Sequence, residues 1–248
     1  MVINGGEMPV AIVTGGSRGI GRAIAERMGA RGAAVVVNYR SNRPAAEQVV
    51  AAIEGSGGQA WAVRADVADP AGPRRLFDAA EERFGGVDVF VNNAGVARFG
   101  SIAEATDEDF ELMFAVNTKA TFVALREAAK RLRDNGRIVV VSSGATLTHR
   151  PGSGVYGASK AAVEQLVRVL ARELGSRGIT ANSVLPGAVR TDALAASGVI
   201  GANQQTLQSI PLGRMGEPDD IADVVGFLAS EEARWITGAS VPVGGGAF

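Results

Sequence analysis

Short runs of Val, Ile and Ala alternate with longer stretches of helical period along the 248 residues, and no other feature constrains the fold as much. Pro9–Val13, Ala34–Asn38, Ala60–Val63, Asp88–Asn92, Arg137–Ser142, Ile179–Val184 and Ala239–Val241 predict strands. Most are apolar at successive positions, as strands covered on both faces require. Between them Ile20–Arg31, Ala45–Ile53, Pro70–Phe84, Asp107–Arg133, Val155–Leu174 and Pro218–Ala229 carry apolar residues at three- and four-residue steps, with Gly or Pro at most of their ends. Strand and helix in turn predict an α/β fold: one doubly wound parallel sheet with helices on both faces. A chain this long, with 46% hydrophobic residues, can bury the core of a single domain over residues 1–248. No internal repeat, low-complexity tract or linker divides it.

Composition narrows the function. A formal net charge of −1 gives no electrostatic footprint for nucleic acid or an anionic membrane surface, so neither is expected as a partner. The absence of Cys rules out disulfides and thiolate catalysis, and the single His149 cannot form a histidine cluster, so no metal site is expected. Met1 to Pro9 is too short and Gly-rich for a signal sequence, and no run of 18 apolar residues could span a bilayer. The expectation is a soluble cytoplasmic protein.

The first predicted strand runs into Thr14-Gly15-Gly16-Ser17-Arg18-Gly19-Ile20-Gly21, where a helix opens. Glycine lets the backbone turn tightly and approach a pyrophosphate, while the unpaired amides and positive end of the helix receive its charge. A plain strand-to-helix turn needs one glycine, and this one has four.

Further along, Tyr156 and Lys160 stand four apart in a predicted helix and so share one face, with Ser143 thirteen positions upstream and Asn117 before that. A phenol of pKa ~10 is a poor acid or base near neutrality, and a neighbouring ammonium favours the phenolate. With two Tyr and three Lys in the chain, this spacing is seldom met by chance. When a hydride reaches a carbonyl carbon, the developing alkoxide needs a proton donor, which Tyr156 can be. A serine can hold the carbonyl oxygen, and from the residues alone Ser142 serves as well as Ser143. Lys160 can also donate to ribose hydroxyls. Asn117 is unfavourable inside a helix and can interrupt the ladder to hold a proton-passing water.

These motifs together resemble the short-chain dehydrogenase/reductase family, in particular its carbonyl-reductase and 3-oxoacyl-carrier-protein-reductase members, over essentially the whole chain. Thr14-Gly-x-x-x-Gly-x-Gly21 resembles the cofactor fingerprint, Asn92-Asn93-Ala94-Gly95 the motif after the fourth strand, and Ser143 with Tyr156-Gly-Ala-Ser-Lys160 the active site. Pro186-Gly187 and Thr191, with Val189 between them, match the segment that contacts the nicotinamide. The resemblance implies a Rossmann-type domain, a catalytic tetrad of Asn117, Ser143, Tyr156 and Lys160, and a four-helix subunit contact of two-fold symmetry. The ending Val243-Gly244-Gly245-Gly246-Ala247-Phe248 departs from the family's Val-Asp-Gly-Gly type, which bears on the subunit contact there.

Cofactor choice is legible after the second strand. An NAD site places Asp or Glu there for the ribose hydroxyls, whereas this chain offers Asn38-Tyr39-Arg40-Ser41-Asn42-Arg43. With Arg18 in the glycine turn, planar cations can converge on a 2′-phosphate, so NADP(H) is the expected cofactor. Asp66-Val67 looks like the family's adenine contact, though Asp66 also suits a turn or cap. The substrate is a small carbonyl or alcohol, beneath a lid expected around 188–213, where Ala193 to Gly213 carries no charge. His149 and Arg150 could meet a polar substrate, although a lone loop histidine is more often a solvated surface residue. Arg131, Arg133 and Arg177 could form a landing for an acidic acyl carrier protein, the plainer reading being solvated helix ends. The expected function is NADPH-dependent reduction of a ketone or aldehyde. The alternatives are 3-oxoacyl-carrier-protein reduction and, remotely, a non-catalytic NADP-binding regulator. Apolar residues on more than one face of two helices (Phe114, Phe122 and Leu125; Val163, Leu166, Val167 and Leu170) predict a homotetramer.

Overall fold

Strands that are apolar on both sides cannot face water, and the sheet they form here is covered on both. The computed structural model describes residues 8–192, 194 and 207–248. The elements run β1 (Val10–Val13), α1 (Gly19–Ala30), β2 (Ala34–Tyr39), α2 (Arg43–Gly55), β3 (Gln59–Arg64), α3 (Ala71–Phe84), β4 (Val87–Asn92), α4 (Asp107–Met113), a π-helical turn (Phe114–Lys119), α5 (Ala120–Arg131), β5 (Leu132–Val141), α6 (Ala145–Thr148), α7 (Gly154–Glu173), β6 (Thr180–Pro186), α8 (Pro218–Leu228) and β7 (Ser240–Val243). The strands lie in the order β3-β2-β1-β4-β5-β6-β7, every neighbouring pair parallel. This is the expected doubly wound sheet. Its direction of winding reverses at β1, whose neighbours are β2 and β4, and ligands of such sheets bind in the crevice beyond the carboxyl ends at that switch.

Alternate residues feed two cores. Val35, Val37, Val89, Val91 and Val139 pack with Ile24 and Met28 of α1, Ile53 of α2 and Val225 of α8. Ile12, Val36, Phe90 and Ile138 point the other way, onto Leu76 and Phe77 of α3, Ala128 of α5 and Val167 of α7. The edge strands are less covered: β3 alternates exposed with partly buried positions along most of its length, and β7 has no fully buried one.

Three departures from the sequence expectation matter. The helix expected over Asp107–Arg133 is broken by the π-helical turn, where the Ala120 amide reaches back five residues to the Ala115 carbonyl. Strand β5 begins at Leu132, five residues early, because Asp134-Asn135-Gly136 reads as a turn yet stays in the strand, Asn135 absorbing the irregularity at φ 62°. On α7, Val163, Val167 and Leu170 are core residues of the same chain and so are not surplus apolar surface; Leu125 of α5 is buried likewise.

Of the expected lid, residues 193 and 195–206 lie outside the described residues, as do Met1 to Glu7 of the amino end. Its near end is anchored where Val189 pairs with Gly216, and its far end where the Leu212 amide donates to the Gly245 carbonyl at 3.1 Å. Among the described residues no helix is long and apolar enough to cross a membrane, and no cluster of His, Cys, Asp and Glu could hold a metal.

Candidate active site

The glycine turn follows β1 directly. Gly15 and Gly19 have φ of 62° and 52°, in the left-handed region that side chains avoid, and a Cβ on Gly21 would overlap the Gly15 carbonyl. The turn is fixed from behind. Its Gly15 amide donates to Asn38 Oδ1 at 3.1 Å, and Asn38 Nδ2 donates to the Ala65 carbonyl at 3.0 Å. Asn38 is thus buried and spends its amide on the backbone. Ser17 and Ile20 are partly buried and Arg18 exposed, at the opening of α1.

From the other side Thr14 Oγ1 accepts the amides of Asn93 and Ala94 at 2.9 and 3.1 Å, and Asn93 Nδ2 donates to the Thr14 carbonyl at 3.0 Å. These bonds lock the end of β4 to the turn after β1. Gly95 then brings the backbone past two catalytic candidates, since a Cβ there would stand 3.1 Å from both Asn117 Oδ1 and Lys160 Nζ. Asn117 itself is buried in the π-helical turn. Its Oδ1 accepts from the Val96 amide at 2.9 Å, and its Nδ2 donates to the Val96 carbonyl at 2.9 Å and to Ser159 Oγ at 3.0 Å. The side chain spans the crevice where the main-chain ladder loosens, as its helix-unfavourable character suggested.

At the end of β5, the Ser143 side chain stands close enough to Tyr156 to act on its phenol, and Ser143 Oγ accepts the Ala145 amide at 3.2 Å. Neighbouring Ser142 is buried and donates to Glu164 Oε1 at 2.7 Å, leaving Ser143 as the serine beside Tyr156. Burial pushes the Tyr156 phenol above its usual pKa, and the nearby Ser143 hydroxyl offsets part of that rise. The spacing had given the offsetting role to Lys160. In the structure the Lys160 ammonium donates to the Val141 carbonyl at 3.0 Å instead, and burial pulls its pKa down to about 8 against the opposing pull of Glu164. Phe99 packs edge-on against the Tyr156 ring, centroids 5.5 Å apart.

The remaining cofactor candidates spread along the same crevice. Arg40 and Ser41 are exposed beyond β2, while Tyr39 is buried and Arg43 is paired with Glu47 at 2.7 Å. Asp66 is exposed and caps its own turn, Oδ1 accepting the Ala68 amide at 3.0 Å, with Val67 beside it. Pro186 ends β6, its carbonyl taking the Gly144 amide at 2.8 Å, and Thr191 returns to the glycine turn, its Cγ2 standing 3.4 Å from where a Cβ on Gly19 would be. Arg131, Arg133 and Arg177 are neither a free landing nor solvated ends: they are tied to Glu81 and Asp78, to Asp88, and to Asp134. Two residues escaped the sequence reading. Glu164 stands one helical turn beyond Lys160, a signal that was available, whereas the Phe248 ring fills the space beside Gly144, Gly187 and Gly244, which only three-dimensional proximity reveals.

A doubly wound parallel sheet with a three-sided glycine turn at its switch point is the dinucleotide-binding class of protein. A family model described as enoyl-(acyl carrier protein) reductase matches residues 15–247. An uncharacterised oxidoreductase of Methylorubrum extorquens is 45% identical over 97% of this chain and 98% of its own length. Versicolorin reductase stcU of Emericella nidulans is 44% identical over 96% and 95%. Among solved structures, the angucycline C-6 ketoreductase LanV with bound NADP superposes with a TM-score of 0.91 at 44% identity, covering 96% of this chain and 95% of that one. The chain belongs to the short-chain dehydrogenase/reductase family.

Proposed function

We propose that the protein is an NADP(H)-dependent oxidoreductase that reduces a ketone or aldehyde to an alcohol, with Asn117, Ser143, Tyr156 and Lys160 as its catalytic set. The observation that carries this is the gathering of Ser143, Tyr156 and Lys160 at the carboxyl end of the sheet, Lys160 one helical turn beyond Tyr156, beside a turn that only glycine can line. The residues fit the cofactor: a pyrophosphate can approach Gly15, Gly19 and Gly21, and exposed Arg18 and Arg40 supply the cations a 2′-phosphate needs where no acid stands. LanV, so similar in sequence and fold, holds NADP.

When bound, NADPH supplies the hydride. Ser143 holds the carbonyl oxygen, and Tyr156 hands its proton to that oxygen as charge develops, its raised pKa keeping it protonated until then. Lys160, charged below about pH 8, stabilises the phenolate left behind. Asn117 holds the backbone at Val96, beside Lys160, through both ends of its amide.

Several finer readings belong here. The charge-free composition of Ala193 to Gly213 supports a substrate-covering role for 188–213 in a single domain. The lack of cysteine agrees with a cytoplasmic site of action. A homotetramer is supported by apolar surface on two sides: Phe110 stacked on Phe114 at 4.3 Å with exposed Phe122 nearby in the chain, and exposed Val169, Phe227 and Trp235. The test of function is loss of NADPH absorbance with a panel of aromatic and aliphatic ketones, aldehydes and a 3-oxoacyl carrier-protein mimic. Turnover of simple ketones is expected, with NADPH well above NADH. Equal use of the two cofactors would overturn the 2′-phosphate reading, and exclusive use of the carrier-protein mimic would replace ketone reduction with the acyl-carrier alternative.

A further inference from the structure

Lys160 and Glu164 sit one turn apart on α7 and grip consecutive residues of the strand that presents Ser143. The Lys160 ammonium donates to the Val141 carbonyl at 3.0 Å, and Glu164 Oε1 accepts from Ser142 Oγ at 2.7 Å. Glu164 is 3% exposed, yet its other oxygen is supplied as well, by Ser240 Oγ of β7 at 3.2 Å and by Arg168 of α7 at 3.4 Å. A carboxylate buried this deeply is costly unless its charge is used or fully bonded. The groups that face it are Lys160 and Arg168 from its own helix, the Ser142 hydroxyl from the β5 end and the Ser240 hydroxyl from β7.

We propose that Glu164 is a positioning residue for the reduction: its buried carboxylate, one helical turn from Lys160, fixes the β5 end behind Ser143 through Ser142 and acts as the electrostatic partner of the Lys160 ammonium. This rests on the assignment of Tyr156 and Lys160 as the proton-transfer pair. Three observations meet in it. The strand end has no freedom to shift while both bonds stand. Arg168, on the exposed side, balances part of the Glu164 charge. Burial of Lys160 and the proximity of Glu164 act on that ammonium in opposite directions, so removing the carboxylate leaves desolvation unopposed.

The test compares Glu164→Gln with Glu164→Asp in the NADPH-bound protein, since the cofactor favours the folded state of each variant. The amide can still accept from Ser142 but carries no charge; the shorter acid keeps the charge. The chain has three lysines, Lys119, Lys130 and Lys160, so carbon-13 labelling of the lysine side chains gives three resonances, and Lys160→Arg assigns the one in question. The midpoint of Lys160 is expected to fall by about one pH unit in Glu164→Gln and to stay near the parent in Glu164→Asp, with Lys119 and Lys130 unmoved. The alkaline fall of kcat for ketone reduction should move down with it, the NADPH affinity below pH 7 unchanged. A Glu164→Gln midpoint and profile that superpose on the parent overturn the proposal, as do equal shifts in both variants, which would mark a packing role. Failure of Glu164→Gln to fold even with NADPH overturns it too. A parent chain that reduces no carbonyl would instead sink the proposed function, which these outcomes leave distinct.

Discussion

At the scale of single residues the site divides into groups that meet the substrate and groups that hold them. Tyr156 is the first kind: its phenol, raised in pKa by burial, is the proposed proton donor. Tyr156→Phe keeps the ring against Phe99 and removes only the hydroxyl, so NADPH binding should be unchanged while kcat falls about 10²–10⁴-fold. Wild-type turnover in the Phe variant, measured at saturating ketone, would remove Tyr156 from the mechanism. Lys160 shows what the arrangement costs. Its folded pKa of about 8 lies below the ordinary 10.5, so between those values the unfolded chain binds more protons and stability rises with pH. Below about pH 8 the full penalty of a buried ammonium is present, so the fold gives up stability where the chemistry needs charge.

Among the elements, the turn between β1 and α1 is the most demanding. A methyl on Gly21 would overlap the Gly15 carbonyl and crowd Asn93, so Gly21→Ala should cost about 1–3 kcal/mol, lower the melting temperature by roughly 2–4 °C for each, and abolish NADPH binding. Gly55→Ala, at the end of α2 with open space around it, should gain about 0.4–1 kcal/mol. Calorimetry on the pair decides whether close approach or mere flexibility explains the glycines; a tolerated Gly21→Ala that still binds NADPH would reject close approach. The turn was legible because its residues are consecutive and follow a strand. So were α7, with Tyr156 and Lys160 on one period, and the parallel doubly wound sheet, because most buried strands announce themselves in Val and Ile; the strand order was not. The break at Asn117 was legible as a disturbance but not as a π-helical turn, since backbone slippage leaves no spacing of its own in the sequence. The early start of β5 and the Phe248 ring beside Gly144 depended on contacts across the sheet, and local pattern carries neither.

For the whole molecule the open question is what covers its apolar faces. Phe122 is 45% exposed on α5, and Trp235 is 96% exposed near β7, large rings that a solitary chain would leave in water. Light scattering behind size exclusion should give four times the 25.4 kDa chain at micromolar concentration. Phe122→Glu should halve that mass by opening one interface and leaving the other. A parent chain running as a monomer would reject the assembly, and a parent dimer would leave one face to be explained otherwise.

The π-helical turn carries a consequence for how such a chain can change. Reaching back five residues where a regular helix reaches four gives the turn one residue more than a regular helical turn holds. Each residue in a helix is worth about 100° of rotation, so that one extra residue sets the direction of everything after it. Deleting one residue between Phe114 and Thr118 should heal the helix, carry the Asn117 amide off the Val96 backbone, and turn the exposed Phe122 of α5 to a new direction. The proposed chemistry and the proposed assembly would then be lost together, to one codon.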